Sequence, residues 1–165
     1  MTDATAENIV SVIRPLSSVK MIDHISVAVR DLYAAESFYS VLLARLGMAK
    51  LREWPGEAIG FGKKYLEFWI NRRAGMDRVA DDSGAHICVR ASSAEAVDGF
   101  HAAALKAGGT SYGAPGVRPE YRQTYYSAFI RDPDGNRIEA VTFLRDGAKY
   151  ASCLSADGAP SPLRS

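Results

Sequence analysis

The chain has 165 residues, of which 47% are hydrophobic and 24% charged, with a formal net charge of +1. That length suits one domain or two small fused modules, and the near-neutral balance gives no electrostatic reason to expect nucleic acid or an anionic membrane as partner. No apolar run approaches the ~20 residues that span a bilayer. Two cysteines, Cys88 and Cys153, are too few for a disulfide framework, so the cytoplasm is the expected compartment.

Residues 1–20 read as an N-terminal extension without the charged start and apolar core of a secretory signal. Within it, "ENIVSVIRPL" predicts a short helix or strand ending before Pro15. "IDHISVAV" then predicts a strand with one buried face, because Ile25, Val27 and Val29 alternate with His24, Ser26 and Ala28. Asp31 is the expected N-cap of a helix over roughly Tyr33 to Leu46, whose apolar face carries Ala35, Phe38, Leu42 and Leu46. Gly47 supplies its left-handed stop. Strands are predicted near Ala49–Glu53, Glu57–Gly62 and Tyr65–Asn71. In the last of these, Glu67, Trp69 and Asn71 share the face opposite Leu66, Phe68 and Ile70.

The same order of elements then recurs. At an offset of 62, "HISVAVRDLYAAESFYSVLLARLG" lies over "HICVRASSAEAVDGFHAAALKAGG", and His24, Ile25, Val27, Ala34, Phe38, Leu43 and Gly47 meet identical residues. The second histidine strand puts His86, Cys88 and Arg90 opposite Ile87 and Val89. Ser92 and Glu95 fit a capping box for a helix ending near Ala107, before Gly108 and Gly109. Strands follow near Thr110–Tyr112, Tyr126–Arg131 and Asn136–Phe143, with "DPDGN" at 132–136 as a tight reversal. The Pro/Gly-rich stretch at 113–125 reads as a loop over a site. The fold class is therefore α+β: a single domain over 21–145, made of two βαβββ modules (about 21–75 and 83–145), then a tail at 146–165.

Each half carries a histidine on its first strand and a glutamate on its last. If the halves curve into a cup-shaped mixed sheet with helices on the outer face, His24, Glu67, His86 and Glu139 converge inside it. Two imidazoles and two carboxylates suit a divalent first-row metal such as Zn, Ni, Fe, Mn or Co. Glu139, between Ile138 and Ala140, also demands a partner if it is buried. A lone strand histidine is more often hydrogen-bonded structure than a ligand; it is the repeated placement that points to a site. His101 takes the place of Tyr39 and reads as structural. Trp54, Phe61, Tyr65 and Trp69 are expected to wall the cup. Arg90, Arg118, Tyr121, Arg122 and Tyr125 are candidates to recognise a polar or anionic group, with solvated loop positions the plainer reading of Arg118 and Arg122.

These modules, together with "DHISVAVRDLYAAESFY", "GAHICVRA" and "RDPDGNRIEAV", resemble the vicinal oxygen chelate superfamily of glyoxalases, bleomycin resistance proteins and extradiol dioxygenases over about Met21 to Phe143. The resemblance implies a metal that binds adjacent oxygens of a small-molecule substrate. His24, His86 and Glu139 fall on the positions that commonly hold it, and Glu67 falls near the fourth position used by glyoxalase I. A shift of one residue in strand register would turn Glu67 outward. "YGAPGVRPEYRQTYYSAFIRDPDGN" is most similar to small bacterial glyoxalase-like proteins, and no glutathione-binding set is identified. The implied activity is metal-dependent isomerase or lyase chemistry, with Glu67 or Glu139 as general base. The alternatives are an Fe(II) extradiol-type dioxygenase, if only His24, His86 and Glu139 bind metal, and a metal-free protein that sequesters a hydrophobic ligand. A homodimer is expected, and whether the cup forms within one chain or between two is open.

Overall fold

The structure is a computed structural model that describes residues 22–144. The terminal extensions, the element expected before Pro15 and Cys153 lie outside the described residues. Among the described residues, no helix is long and apolar enough to cross a membrane.

The first half runs β1 (Ile25–Val29), α1 (Leu32–Ala44), β2 (Ala49–Trp54), β3 (Ala58–Gly62) and β4 (Phe68–Arg72). The second runs β5 (Ile87–Arg90), α2 (Ala94–Lys106), β6 (Thr110–Val117), β7 (Tyr125–Arg131) and β8 (Arg137–Phe143). Each half folds as βαβββ and builds its own four-stranded sheet, in the orders β1-β4-β3-β2 and β5-β8-β7-β6. The first strand of each half pairs parallel with its last, and the remaining pairs are antiparallel.

Local chemistry fixes the ends of these elements. Asp31 caps α1 through its carboxylate, which accepts from the amides of Tyr33 and Ala34. Gly47 takes the left-handed φ of +78° that stops the chain after α1. Ser93, not Ser92, caps α2, because its hydroxyl accepts from the Ala96 amide at 3.2 Å. The stretch expected to be loop from residue 113 is strand as far as Val117. It is the edge of its sheet, where Pro115 forfeits no ladder bond and register shifts around Gly113 absorb the irregularity.

One face of each sheet is covered by its own helix, and α1 packs on α2, so a single core runs sheet, helix, helix, sheet. Phe38, Tyr39, Leu42 and Leu43 of α1 meet Ile59, Phe61, Phe68 and Ile70; Val97, Phe100 and Ala104 of α2 meet Ala128, Ile130, Ile138 and Ala140. Each large side chain buried this way contributes about 1.5–3 kcal/mol. Phe61, expected in the cup wall, belongs to this core: it pairs with Phe68 on the helix-covered face.

A polar knot joins the halves across that core. The buried Tyr39 hydroxyl donates to Asp132 Oδ2 at 2.6 Å. Asn136 donates through Nδ2 to the same oxygen at 2.8 Å and to the Ala28 carbonyl at 2.9 Å. Burial raises the Asp132 carboxyl above its ordinary range, while these hydrogen bonds pull the other way. Tyr39→Phe leaves that buried carboxylate short of a donor. The expected cost is about 2 kcal/mol, measured as a lower urea midpoint at unchanged slope.

Candidate functional site

The face of each sheet turned away from its helix holds the candidate site residues. On the second sheet, Glu139 stands opposite Cys88 across the parallel pair and opposite Phe129 across the antiparallel pair. Its side chain is only 3% exposed, and Oε2 lies 3.3 Å from His86 Nε2. Oε1 accepts from the Tyr125 hydroxyl at 2.9 Å. The Cys88 sulfur is 3.8 Å from that hydroxyl. Loss of hydration, with Glu139 nearby, pushes the Cys88 thiol up to about 12 and raises the Tyr125 phenol, so both keep their protons at neutral pH. Glu139 is thus a buried carboxylate held by one phenol and one imidazole. The imidazole and carboxylate are two donors of the kind a first-row divalent metal takes.

The first sheet offers a different set. His24 is 52% exposed, with Nδ1 2.8 Å from Asp23 Oδ2. Ile25 pairs with Phe68, so His24 and Glu67 stand level just before that pair. Ile87 pairs with Ile138, and under the repeat Ile25 falls on Ile87. Phe68 therefore matches Ile138, Trp69 matches Glu139, and Glu67 matches Arg137. Glu67 lies on the open face but one rung away from the place of Glu139, and its Oε2 accepts from the Lys63 amide at 3.0 Å. Trp69 occupies the matching place. It stacks on Trp54 with centroids 4.8 Å apart and planes 10° from parallel, and it lies over Gly60, where a Cβ would meet the indole at 2.9 Å.

Arg90, Arg122, Tyr121 and Tyr125 gather at one end of the second sheet, around Phe143. The Arg90 guanidinium lies 4.2 Å from that ring and the Arg122 guanidinium 5.8 Å. Tyr125 meets Phe143 edge-on at 5.4 Å, and Tyr121 meets Tyr125 at the same distance. Arg118 is not solvated: it is 8% exposed, donates to the Ala114 carbonyl at 2.7 Å and lies 5.7 Å from the Phe129 ring. His101 is structural, with Nε2 2.8 Å from the Ser111 hydroxyl. Within one chain His86 and Glu139 come together; His24 and Glu67 do not join them. Among the described residues no three of His, Cys, Asp and Glu are grouped to hold a metal ion.

Comparison with known proteins matches residues 21–140 to the family model described as the glyoxalase/bleomycin resistance protein/dioxygenase superfamily. The chain belongs to that superfamily. Comparison with curated proteins gives no match. A crystal structure of a glyoxalase/bleomycin resistance protein from Albidiferax ferrireducens T118 is 31% identical, with TM-score 0.65 over 74% of this chain and 98% of that one. The fold is shared by a glyoxalase/bleomycin resistance protein/dioxygenase family enzyme from Burkholderia phytofirmans PsJN at 21% identity, with TM-score 0.55 over 74% and 98% of the two chains. It is also shared by lactoylglutathione lyase from Agrobacterium tumefaciens at 21% identity, with TM-score 0.52 over 78% and 95%.

In this superfamily member the open face of the second sheet also carries Phe129, Arg131 and Tyr112, none of them a candidate from the sequence. The signal was present for two of them. In "YYSAFIR", Tyr125, Ser127, Phe129 and Arg131 alternate, and one hydrogen bond from Tyr125 to Glu139 fixes the whole row.

Proposed function

We propose that this chain is a metal-dependent enzyme of the glyoxalase/dioxygenase type acting on a small oxygenated molecule. The proposed metal ligands are His24, His86 and Glu139, with Glu67 outside the set. The register carries this reading: Trp69, not Glu67, takes the place on the first sheet that Glu139 takes on the second. Two histidines and one carboxylate form the donor set associated with open coordination positions and Fe(II) oxygenase chemistry. That favours the extradiol-type alternative over four-ligand isomerase or lyase chemistry. A divalent metal there supplies Lewis acidity toward two adjacent substrate oxygens and, when it is iron(II), electrons for dioxygen chemistry.

The residues of the chain do the rest. The Tyr125 hydroxyl holds Glu139 in one orientation. The stacked Trp54 and Trp69 offer a flat apolar surface, and Arg90 and Arg122 offer positive charge beside Phe143. His24 lies on one sheet and the His86–Glu139 pair on the other, which suits a site completed between two copies, and the proposed assembly is a homodimer in the cytoplasm.

Complementation tests this. His24→Ala and Glu139→Ala are each expected to lose bound metal. Mixing the two variants after subunit exchange should restore about a quarter of the wild-type content, because half of random dimers are mixed and each mixed dimer keeps one intact site. No restoration in exchanged dimers would place the ligands within one chain. No metal in the wild type after reconstitution with Fe(II), Mn, Ni, Co and Zn would remove the metalloenzyme reading.

A further inference from the structure

Beside Glu139, on the same open face, the second sheet carries a row of cations. Arg137 stands level with His86, one residue before the Ile87–Ile138 pair, and directly opposite Arg131 on β7. Like charges directly opposite one another in a sheet are destabilising unless something lies between them or binds to them. Tyr112 is part of the answer: its ring centre is 4.3 Å from the Arg131 guanidinium carbon and 4.5 Å from that of Arg137. Asp81 is another part, and it serves Arg131, accepting from Nη1 at 2.8 Å, and Arg78, accepting at 2.9 Å. Arg137 is 9% exposed; it lies near enough to Asp81 to help hold that carboxyl below its ordinary range, but among the described residues it makes no direct ion pair. The Nε atoms of both Arg131 and Arg137 are buried without a hydrogen-bond partner. A buried guanidinium with unused donors is costly. Three arginines around one carboxylate leave the cluster about two positive charges in excess.

Building on the reading of this face as a substrate site, we infer that Arg137, with Arg131 and Tyr112, is an oxyanion-binding subsite. The substrate accordingly carries a carboxylate or a phosphoryl-type group about one rung of the sheet from the group bound at His86 and Glu139. A planar guanidinium is suited to either anion, since both present paired oxygens to its fork of donors. The sequence separates this subsite from Arg90 and Arg122, which lie near the other end of the same strands, around Phe143.

The test is titration of the full-length protein with inorganic phosphate and, separately, with malonate. Calorimetry and the NMR signals of the arginine Nε–H groups serve as readouts. Saturable binding that shifts the Arg137 signal is expected, weakened at least about tenfold by Arg137→Gln, the loss of one charge-assisted pair, and unchanged by Lys50→Gln in the other half, where the ammonium is held by Glu36 of α1. Asp81 has a side chain 66% exposed, so Asp81→Asn tests the site even if Arg137→Gln fails to fold, and severalfold tighter binding is expected because it removes a competing carboxylate. Response to phosphate alone or malonate alone supports the subsite and names the substrate's anion. No saturable binding of either probe, or binding indifferent to both substitutions, overturns it. So does loss of self-association in Arg137→Gln without any anion response, which assigns Arg137 to a subunit contact. Metal content measured on the same samples keeps the two readings apart: anion binding that persists in a chain that takes up no metal removes the proposed metal chemistry and leaves the subsite standing.

Discussion

Glu139→Gln is expected to abolish the proposed metal binding while leaving the fold in place. The amide has the shape of the carboxylate and still accepts from the Tyr125 hydroxyl, which sits 2.9 Å from Oε1. It cannot offer an anionic oxygen beside His86 Nε2, now 3.3 Å from Oε2. Loss of an outer-shell partner alone costs about 10–100-fold in metal affinity, so loss of this ligand is expected to cost at least about a hundredfold. The side chain is almost wholly buried, but its imidazole partner is 44% exposed and stays hydrated when the charge is removed, so the unfolding free energy of the metal-free protein should fall by no more than about 1–2 kcal/mol, the scale of one weakened hydrogen bond. Metal per chain after dialysis, and thermal unfolding of the metal-free forms, check the two halves of this expectation. Undiminished metal in the variant would show that Glu139 is no ligand and that its phenol and imidazole contacts are merely structural.

Gly62→Ala is expected to have the largest effect on stability. A Cβ at this last residue of β3 would lie 1.7 Å from the Tyr65 carbonyl oxygen and 3.3 Å from the Glu67 amide nitrogen. Both are backbone atoms, so no side chain can swing aside, and the turn from residue 63 to 67 must open. That turn is anchored by the Glu67 amide, which donates to the Phe61 carbonyl at 2.9 Å, and it delivers Glu67 and Trp69 to the open face. Overpacking against immobile backbone costs about 3 kcal/mol or more. For a chain of this size the melting temperature should fall by roughly 6–12 °C. A shift of less than about 1 kcal/mol would mean that the turn relaxes freely, and that it does not hold β4 in place.

Much of this architecture is legible in the sequence because two periodicities agree. Alternation in "HISVAV" and "HICVR" sets which side chains face the helices, and the offset of 62 doubles that evidence for His24 and His86. Asp31, Gly47 and the turn at 132–136 are local chemistry, decided within a few residues of the chain, and they stand where the sequence placed them. Properties that depend on cross-strand register were less accessible. Glu67 and Glu139 look like counterparts when each is counted as the glutamate of a closing strand, yet pairing makes Trp69 the counterpart of Glu139. Phe61 went to the core rather than the cup because Gly60, on its other side, leaves room for the Trp69 indole. The stack of Arg131, Tyr112 and Arg137 assembles from three strands, so no short motif announces it.

Parallel closure of each module also sets the order in which the donors meet. His86 and Glu139 lie 53 positions apart along the chain and become neighbours through the pairing of β8 with β5. Bringing so distant a pair together early carries a loop-closure penalty with nothing yet to offset it. On the proposed reading, metal would be taken up by the folded scaffold. Unlike a zinc finger, whose fold begins with its ion, this domain owes its shape to the apolar layer between its sheets, and its fold needs no ion to hold it.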